Sequence, residues 1–257
     1  MLPGDLSLGT VVISLYGLMI ALGLIAGLRL LVVSAPRAGV PADQAFDAAF
    51  WLIVAGLFAS RAGYVLLRLE HFVHRPWDAL KYWNGGLLFH GALLGGLAAA
   101  VVFSRRHKIP FLALGDAFAP PLALGQAVGR LGCLAVGCCY GRPAPSGWPL
   151  ALTFPAGGLA PARLPLQPTQ LYEAAGLTLL TIVCMQAGRR KRRRPGGILG
   201  TYLTGAGALR FGVDFLRGDF RGQLLLGWPP TTWAALLAAL AGVVLLTRRP
   251  PESLGPA

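Results

Sequence analysis

The most restrictive feature of this chain is a series of apolar runs. Each is close to the roughly 20 residues that an α-helix needs to cross the hydrocarbon core of a bilayer. They lie at about 8–33, 46–67, 85–103, 111–131, 169–187, 197–216 and 228–247. Lipid offers no water to backbone N–H and C=O groups, so such runs fold as helices and not as open sheets. The sequence therefore predicts an all-α, polytopic membrane protein, a single transmembrane domain over 1–257 with seven transmembrane helices. With 55% hydrophobic and only 13% charged residues, the composition excludes an ordinary soluble domain. Residues 1–7 carry Asp5 and no Lys or Arg. The positive leading region of a signal peptide is missing, so the first run is read as a retained helix.

The net charge of +13 raises the question of nucleic acid. The basic residues do not form a spread face but sit in short clusters between apolar runs, which is what topology requires, so no nucleic-acid partner is expected. Arg37, the Arg105/Arg106/Lys108 cluster, the unbroken run Arg189–Arg194 and Arg248/Arg249 all fall on one side of a seven-span chain. These compact clusters mark the cytoplasm. The N-terminus is then outside and the C-terminus inside. His90, Arg130, Glu173 and Arg217 fall toward the outer half. The pairs Gly23/Gly27, Gly91/Gly95 and Gly125/Gly129 have the spacing that lets membrane helices approach closely.

The stretch from Gly125 to Gly141 holds Arg130, five glycines and the cysteines Cys133, Cys138 and Cys139. An arginine at the edge of a membrane segment needs an anionic partner or water. Arg210, Asp214 and Arg217 are spaced i, i+4, i+7 and are expected on one helical face. Arg130, Arg210 and Arg142 can hold a phosphate through paired N–H donors. His90 can carry a proton near neutral pH, and Glu173 and Asp214 can orient these groups. Buried Arg/Asp pairs often only join helices. Here several ionisable groups converge on one side, which points to a site for an anionic, lipid-borne substrate. Tyr16, alone in the first run, reads as an interfacial or packing residue. The segment 134–168 is rich in Gly and Pro and is expected to form a small extramembrane periplasmic head, with a short strand at Trp148–Phe154. Pro120-Pro121 is expected to kink or break the fourth span. Rings in the loop 69–84, such as Trp77 and Trp83, suit an interfacial belt. His71 and His74 have ligand-like spacing but no further ligand nearby.

Six stretches, in this order, carry a family likeness: Leu15-Tyr16-Gly17-Leu18-Met19; Gly85-Gly86 with Phe89-His90-Gly91; Gly129-Arg130-Leu131-Gly132; Gly141-Arg142-Pro143; Pro168-Thr169-Gln170-Leu171-Tyr172-Glu173; and Arg210-Phe211 with Asp214 and Arg217. Together the chain resembles the prolipoprotein diacylglyceryl transferase family. The resemblance implies seven transmembrane helices with an outward N-terminus, in the bacterial inner membrane. It implies transfer of the diacylglyceryl group from phosphatidylglycerol to the lipobox cysteine thiol of a prolipoprotein, releasing glycerol phosphate, with no metal or nucleotide cofactor. It carries Tyr16, His90, Arg130 and Arg210 over as catalytic positions and Gly141, Arg142, Glu173, Asp214 and Arg217 as substrate-binding ones, with Cys133 and Cys138 counted among the substrate-binding residues by their place in the motif.

The departure from the family pattern is in the cysteines. The family's Gly-Arg-x-Gly is followed by an asparagine and, five residues later, an acid; Cys133 and Cys138 stand in those places, with Cys139 next. Several readings of the thiols are open. A Cys133–Cys138 disulfide suits an oxidising outer face. A metal site lacks a fourth ligand close in sequence. A thiol relay is chemically possible. Two functional alternatives accompany the transferase: a divergent paralogue that binds or transports phospholipid without transfer, and a thiol-dependent membrane enzyme using Cys133 and Cys138. Cys184 reads as a small apolar residue.

Overall fold

The computed structural model describes residues 5–8, 11–82, 85–189, 194–219 and 225–248. Trp83, residues 190–193 of the basic run, Arg221 and Arg249 lie outside the described residues. A short antiparallel hairpin, β1 (Asp5–Leu8) and β2 (Val11–Ser14), precedes the helices. The rest of the regular structure is helical: α1 (Leu15–Arg37), α2 (Ala42–Leu67), α3 (Leu69–His74), α4 (Phe89–Arg106), α5 (Phe111–Val136), α6 (Thr169–Ala187), α7 (Gly197–Asp214) and α8 (Pro230–Thr247), with one 3₁₀ turn at Pro76–Leu80. The first helix begins at Leu15 and not near Leu8, because the β-branched Val11-Val12-Ile13 pairs as a strand. Four of the helices, α1, α2, α5 and α8, are long and apolar enough to cross a membrane by length and composition.

The central element is α5, which packs along α1 on one side and α6 and α7 on the other. It carries Pro120 and Pro121 yet runs as one helix from Phe111 to Val136. The expected break is absent for a physical reason. Pro121 has no N–H to give the carbonyl of Ala117, one turn earlier. The Ser34 hydroxyl of α1 donates to that carbonyl at 2.8 Å and takes the vacant role.

Small residues set the helix spacings. On Gly23 of α1 a Cβ would lie 2.9 Å from the Gly125 carbonyl of α5, and on Gly91 of α4 it would lie 2.5 Å from the Ala59 carbonyl of α2. Asp116 of α5 accepts from the backbone N–H of Gly196 and Leu199 at 2.8 and 2.7 Å, capping the start of α7. Between α5 and α6 the chain forms no continuous strand. Trp148–Phe154 contributes a turn and isolated bridges, Leu152 with Leu166 and Phe154 with Ala162. Phe154, Ala160 and Leu166 form a small core there, against Leu134 at the end of α5.

Candidate active site

Glu173 is the anchor. It sits on the second turn of α6, 3% exposed, and shares its two carboxylate oxygens between two helices. Oε2 meets Arg130 Nε of α5 at 2.8 Å, and Oε1 accepts from Arg210 Nη1 of α7 at 2.7 Å. Arg210 reaches on through Nη2 to Asp214 Oδ1, 3.1 Å away and one turn along α7. Asp214 in turn accepts from Thr232 Oγ1 of α8 at 2.8 Å. The chain of charges Arg130–Glu173–Arg210–Asp214 thus runs across three helices, α5, α6 and α7, and Thr232 ties it to α8. The arginine side chains remain 24% and 21% exposed, so they are ordered by carboxylates and still reachable.

Arg217 does not continue the helical face of Arg210 and Asp214. Helix α7 ends at Asp214, and Arg217 turns away to pair Asp219, Nε to Oδ1 at 2.8 Å and Nη2 to Oδ2 at 2.5 Å. Its backbone pairs with Gly141 in an isolated bridge. Arg142 N–H donates to the Leu216 carbonyl at 2.7 Å, and Arg142 Nε donates to the Arg217 carbonyl at 3.3 Å. At Gly141 a side chain would collide with the Gln167 carbonyl, which explains the glycine. So Gly141, Arg142 and Arg217 form a backbone clasp joining the loop after α5 to the loop after α7.

The cysteines meet in space. Helix α5 ends on Gly137 in the left-handed region (φ 72°), and the Cys138 N–H returns to the Cys133 carbonyl at 3.0 Å. Cys139 is also left-handed (φ 60°), a conformation that a side chain resists. Two fully buried side chains of α6 hold the turn. Gln170 Nε2 donates to the Cys138 carbonyl and Thr169 Oγ1 to the Cys139 carbonyl, both at 2.7 Å. The three Sγ atoms of Cys133, Cys138 and Cys139 then lie within 4.8 Å of one another, all as free thiols. Hydrogen bonds from Cys133 and Cys138, and then the charges of Arg217 and Arg130, hold the Cys139 thiol below its ordinary range. The hydrogen bonds to Cys133 and Cys139 push the Cys138 thiol up. Tyr16 of α1 stands beside this turn, its ring against the position where a Gly132 side chain would be.

His90 lies apart from this network. It is exposed in the first turn of α4, its ring edge-on to Phe89, and among the described residues no hydrogen bond or ion pair joins it to the arginines. What fixes its helix is a set of contacts to α2. Ser60 exchanges bonds with Leu88, and Gly91 packs on Ala59. The buried Arg61 organises the approach to it, donating to the carbonyls of Ala79, Gly86 and Lys81 at 2.9, 3.1 and 3.1 Å. Arg61 also touches the rings of Tyr64, Phe72 and Tyr82. Among the described residues His71 and His74 join no ligand group; His71 lies 4.0 Å from Asp78.

Below Arg130 an apolar cavity of about 970 Å³ opens between α1, α2, α4, α5, α7 and α8. Gly129, next to Arg130, lines it, and it extends to Leu199 and Arg248. An oily cavity that comes up to the residue beside Arg130 suits an amphiphile with an anionic head.

A family model described as prolipoprotein diacylglyceryl transferase matches residues 3–248. The chain belongs to the prolipoprotein diacylglyceryl transferase family. Relatives named phosphatidylglycerol–prolipoprotein diacylglyceryl transferase bear this out. The Nitrobacter winogradskyi protein is 35% identical over 246 residues, covering 92% of this chain and 83% of the relative. The Bordetella bronchiseptica protein is 33% identical over 260 residues, covering 97% of each. The Pseudoalteromonas atlantica protein is 36% identical over 234 residues, 88% of this chain and 81% of the relative. As a family member with this set of apolar helices, the chain is a multi-pass membrane transferase.

The diacylglyceryl transferase motifs include residues whose part the sequence did not single out. Thr169 and Gln170 stand in the Pro-Thr-Gln motif, and only the fold shows that they hold the cysteine turn. Asp219 and Thr232, partners of Arg217 and Asp214, had no signal beyond being polar near span ends. Arg61 had one: an arginine inside an apolar run.

Proposed function

We propose that this protein transfers the diacylglyceryl group of phosphatidylglycerol to the lipobox cysteine thiol of prolipoproteins, at the outer face of the bacterial inner membrane. The observation that carries the proposal is Glu173 holding Arg130 and Arg210 together, with Gly129, next to Arg130, lining the apolar cavity. In this reading the cavity takes the acyl chains. The guanidiniums of Arg130 and Arg210 bind the phosphodiester and stabilise charge on the departing glycerol phosphate. The thiolate is the nucleophile, and a cationic site favours it. His90 accepts the thiol proton or orients the donor from the start of α4. Tyr16, Arg142 and Gly141 border the entry, while Arg217 braces the loop of Gly141 and Arg142 and Asp214 holds Arg210.

The same reading makes all seven helices of 18 residues or more transmembrane, with the N-terminus outside and the C-terminus cytoplasmic. Residues 134–168 then form a small periplasmic head. The basic Arg105 and Arg106 at the end of α4, and the Asp116-capped start of α7, agree with a cytoplasmic side there.

The test uses purified protein in detergent with phosphatidylglycerol and a lipobox peptide. Mass spectrometry is expected to find the diacylglyceryl mass on the peptide cysteine. His90→Ala and Arg210→Ala are expected to abolish it while the proteins still insert; full activity in both would refute the site. The exchange of the family's amide and acid for Cys133 and Cys138 supports a second reading, a paralogue that binds phospholipid without transfer. Copurified lipid with no product would favour it.

A further inference from the structure

Three thiols gathered by a strained, well-braced turn call for an explanation that packing does not supply. Thr169 holds the Cys139 carbonyl, and Cys139 stands at positive φ, so its thiol is brought to the other two at a cost in strain. Cys133, on the last turn of α5, follows Arg130 by three residues and so shares its face. Cys138 and Cys139 come back onto it because Gln170 and Thr169 hold their carbonyls. Zinc bound by thiolates at about 2.3 Å in a tetrahedral set spaces its sulfurs about 3.8 Å apart. Sulfurs already within 4.8 Å of one another lie close to that spacing. Among the described residues no fourth ligand joins this group. Three protein ligands with an open fourth position is the arrangement of a catalytic zinc, not of a structural one.

We infer that Cys133, Cys138 and Cys139 hold a zinc ion whose open fourth position binds the acceptor cysteine of the prolipoprotein as a thiolate. The inference rests on the transferase reading and adds to it the means by which this chain activates its acceptor. A thiol that coordinates zinc gives up its proton, here to water, which leaves His90 the second of its two proposed parts, orienting the donor. The bound sulfur keeps its nucleophilic electron pair and sits on the helix face of Arg130, the proposed phosphate holder. It attacks the glyceryl carbon of the lipid. The C–S bond forms as the C–O bond breaks, the bonding pair leaves on the phosphate oxygen of glycerol phosphate, and zinc stays divalent throughout. In this chain the thiols would do by metal coordination what the family's amide and acid do otherwise.

The experiment combines metal analysis, cobalt spectroscopy and transfer on the full-length protein in detergent. Zinc is expected at about one per chain. Each of Cys133→Ser, Cys138→Ser and Cys139→Ser should lose it. Cobalt(II) in place of zinc should give a sulfur-to-metal charge-transfer band. That band should grow when a lipobox peptide is added and stay unchanged with the same peptide carrying serine. Stripping the metal should lower transfer about 100-fold, restored by zinc. Metal-free protein that transfers at full rate overturns the inference and leaves the transferase reading intact. So does a disulfide among the three cysteines in protein isolated under thiol-blocking conditions, or a cobalt spectrum indifferent to the cysteine peptide. A cobalt band that answers the cysteine peptide while zinc-loaded protein forms no thioether keeps the metal site and removes the transferase reading instead.

Discussion

Glu173 and Arg130 belong to different sequence motifs, and their distance along the chain hides that they touch. A carboxylate with one oxygen on each of two arginines fixes both guanidiniums and lowers the cost of keeping them side by side. Glu173→Gln keeps the shape but leaves one acceptor oxygen for two cations, with the amide NH₂ facing the other. Transfer is expected to fall about 100-fold, the scale of losing one preorganised charge-stabilising group. Thermal unfolding in detergent should change far less than the rate. Unchanged kcat/KM in the glutamine variant would show that the arginines need no anchor. The types Arg, Glu, Asp and His were legible as chemistry from the sequence. Their pairing was not, because an ion pair between helices depends on helix rotation, which a periodic apolar pattern fixes only loosely.

Among the elements, α4 shows how little of a functional helix its own sequence explains. Its start is tied to α2 through Ser60, Leu88 and Gly91, and its middle lines the cavity with Ala92, Leu93 and Gly96. A Cβ on Gly96 would have only the Leu52 carbonyl near it, at 3.8 Å, so the site has room. Gly96→Trp is therefore expected to insert an indole into the cavity without prising α2 from α4. The KM for the phospholipid should rise about tenfold while Arg130 and Arg210 stay in place, since the lost volume is acyl-chain space and not charge. Donors with short acyl chains should recover most of the loss; equal loss with every chain length would argue that the cavity does not hold the lipid. The turn after α5 makes the same point at a helix end. Gly137 ends α5 in the left-handed region, but the convergence of three thiols needed Thr169 and Gln170 from another helix.

At the scale of the whole molecule, the proposed topology puts the arginine network, the cysteine turn and residues 134–168 on one side of the membrane and the ends of α4 and α6 on the other. A reporter active only in the cytoplasm, fused after Gly188, should be active. The same reporter fused after Gly147 should be silent, and one active only outside should give the reverse. Both fusions reporting the same side would break the seven-span arrangement. This orientation matters for the proposed reaction, which takes place at the outer face of the membrane.

The sequence by itself determined the membrane character, the helical class and most helix positions, since apolar length and the demand for internal backbone hydrogen bonds leave few choices. The unbroken α5 lay beyond it, because the Ala117 carbonyl that Pro121 leaves vacant is filled by Ser34 from another helix. Only the tertiary structure decided that Arg217 leaves the face of Arg210 for Asp219, that Glu173 serves two arginines, and that Cys133, Cys138 and Cys139 share one point in space. These are contacts between elements distant in sequence or around a helix end. Their geometry comes from how helices rotate and close on one another, and no local pattern of residues encodes that.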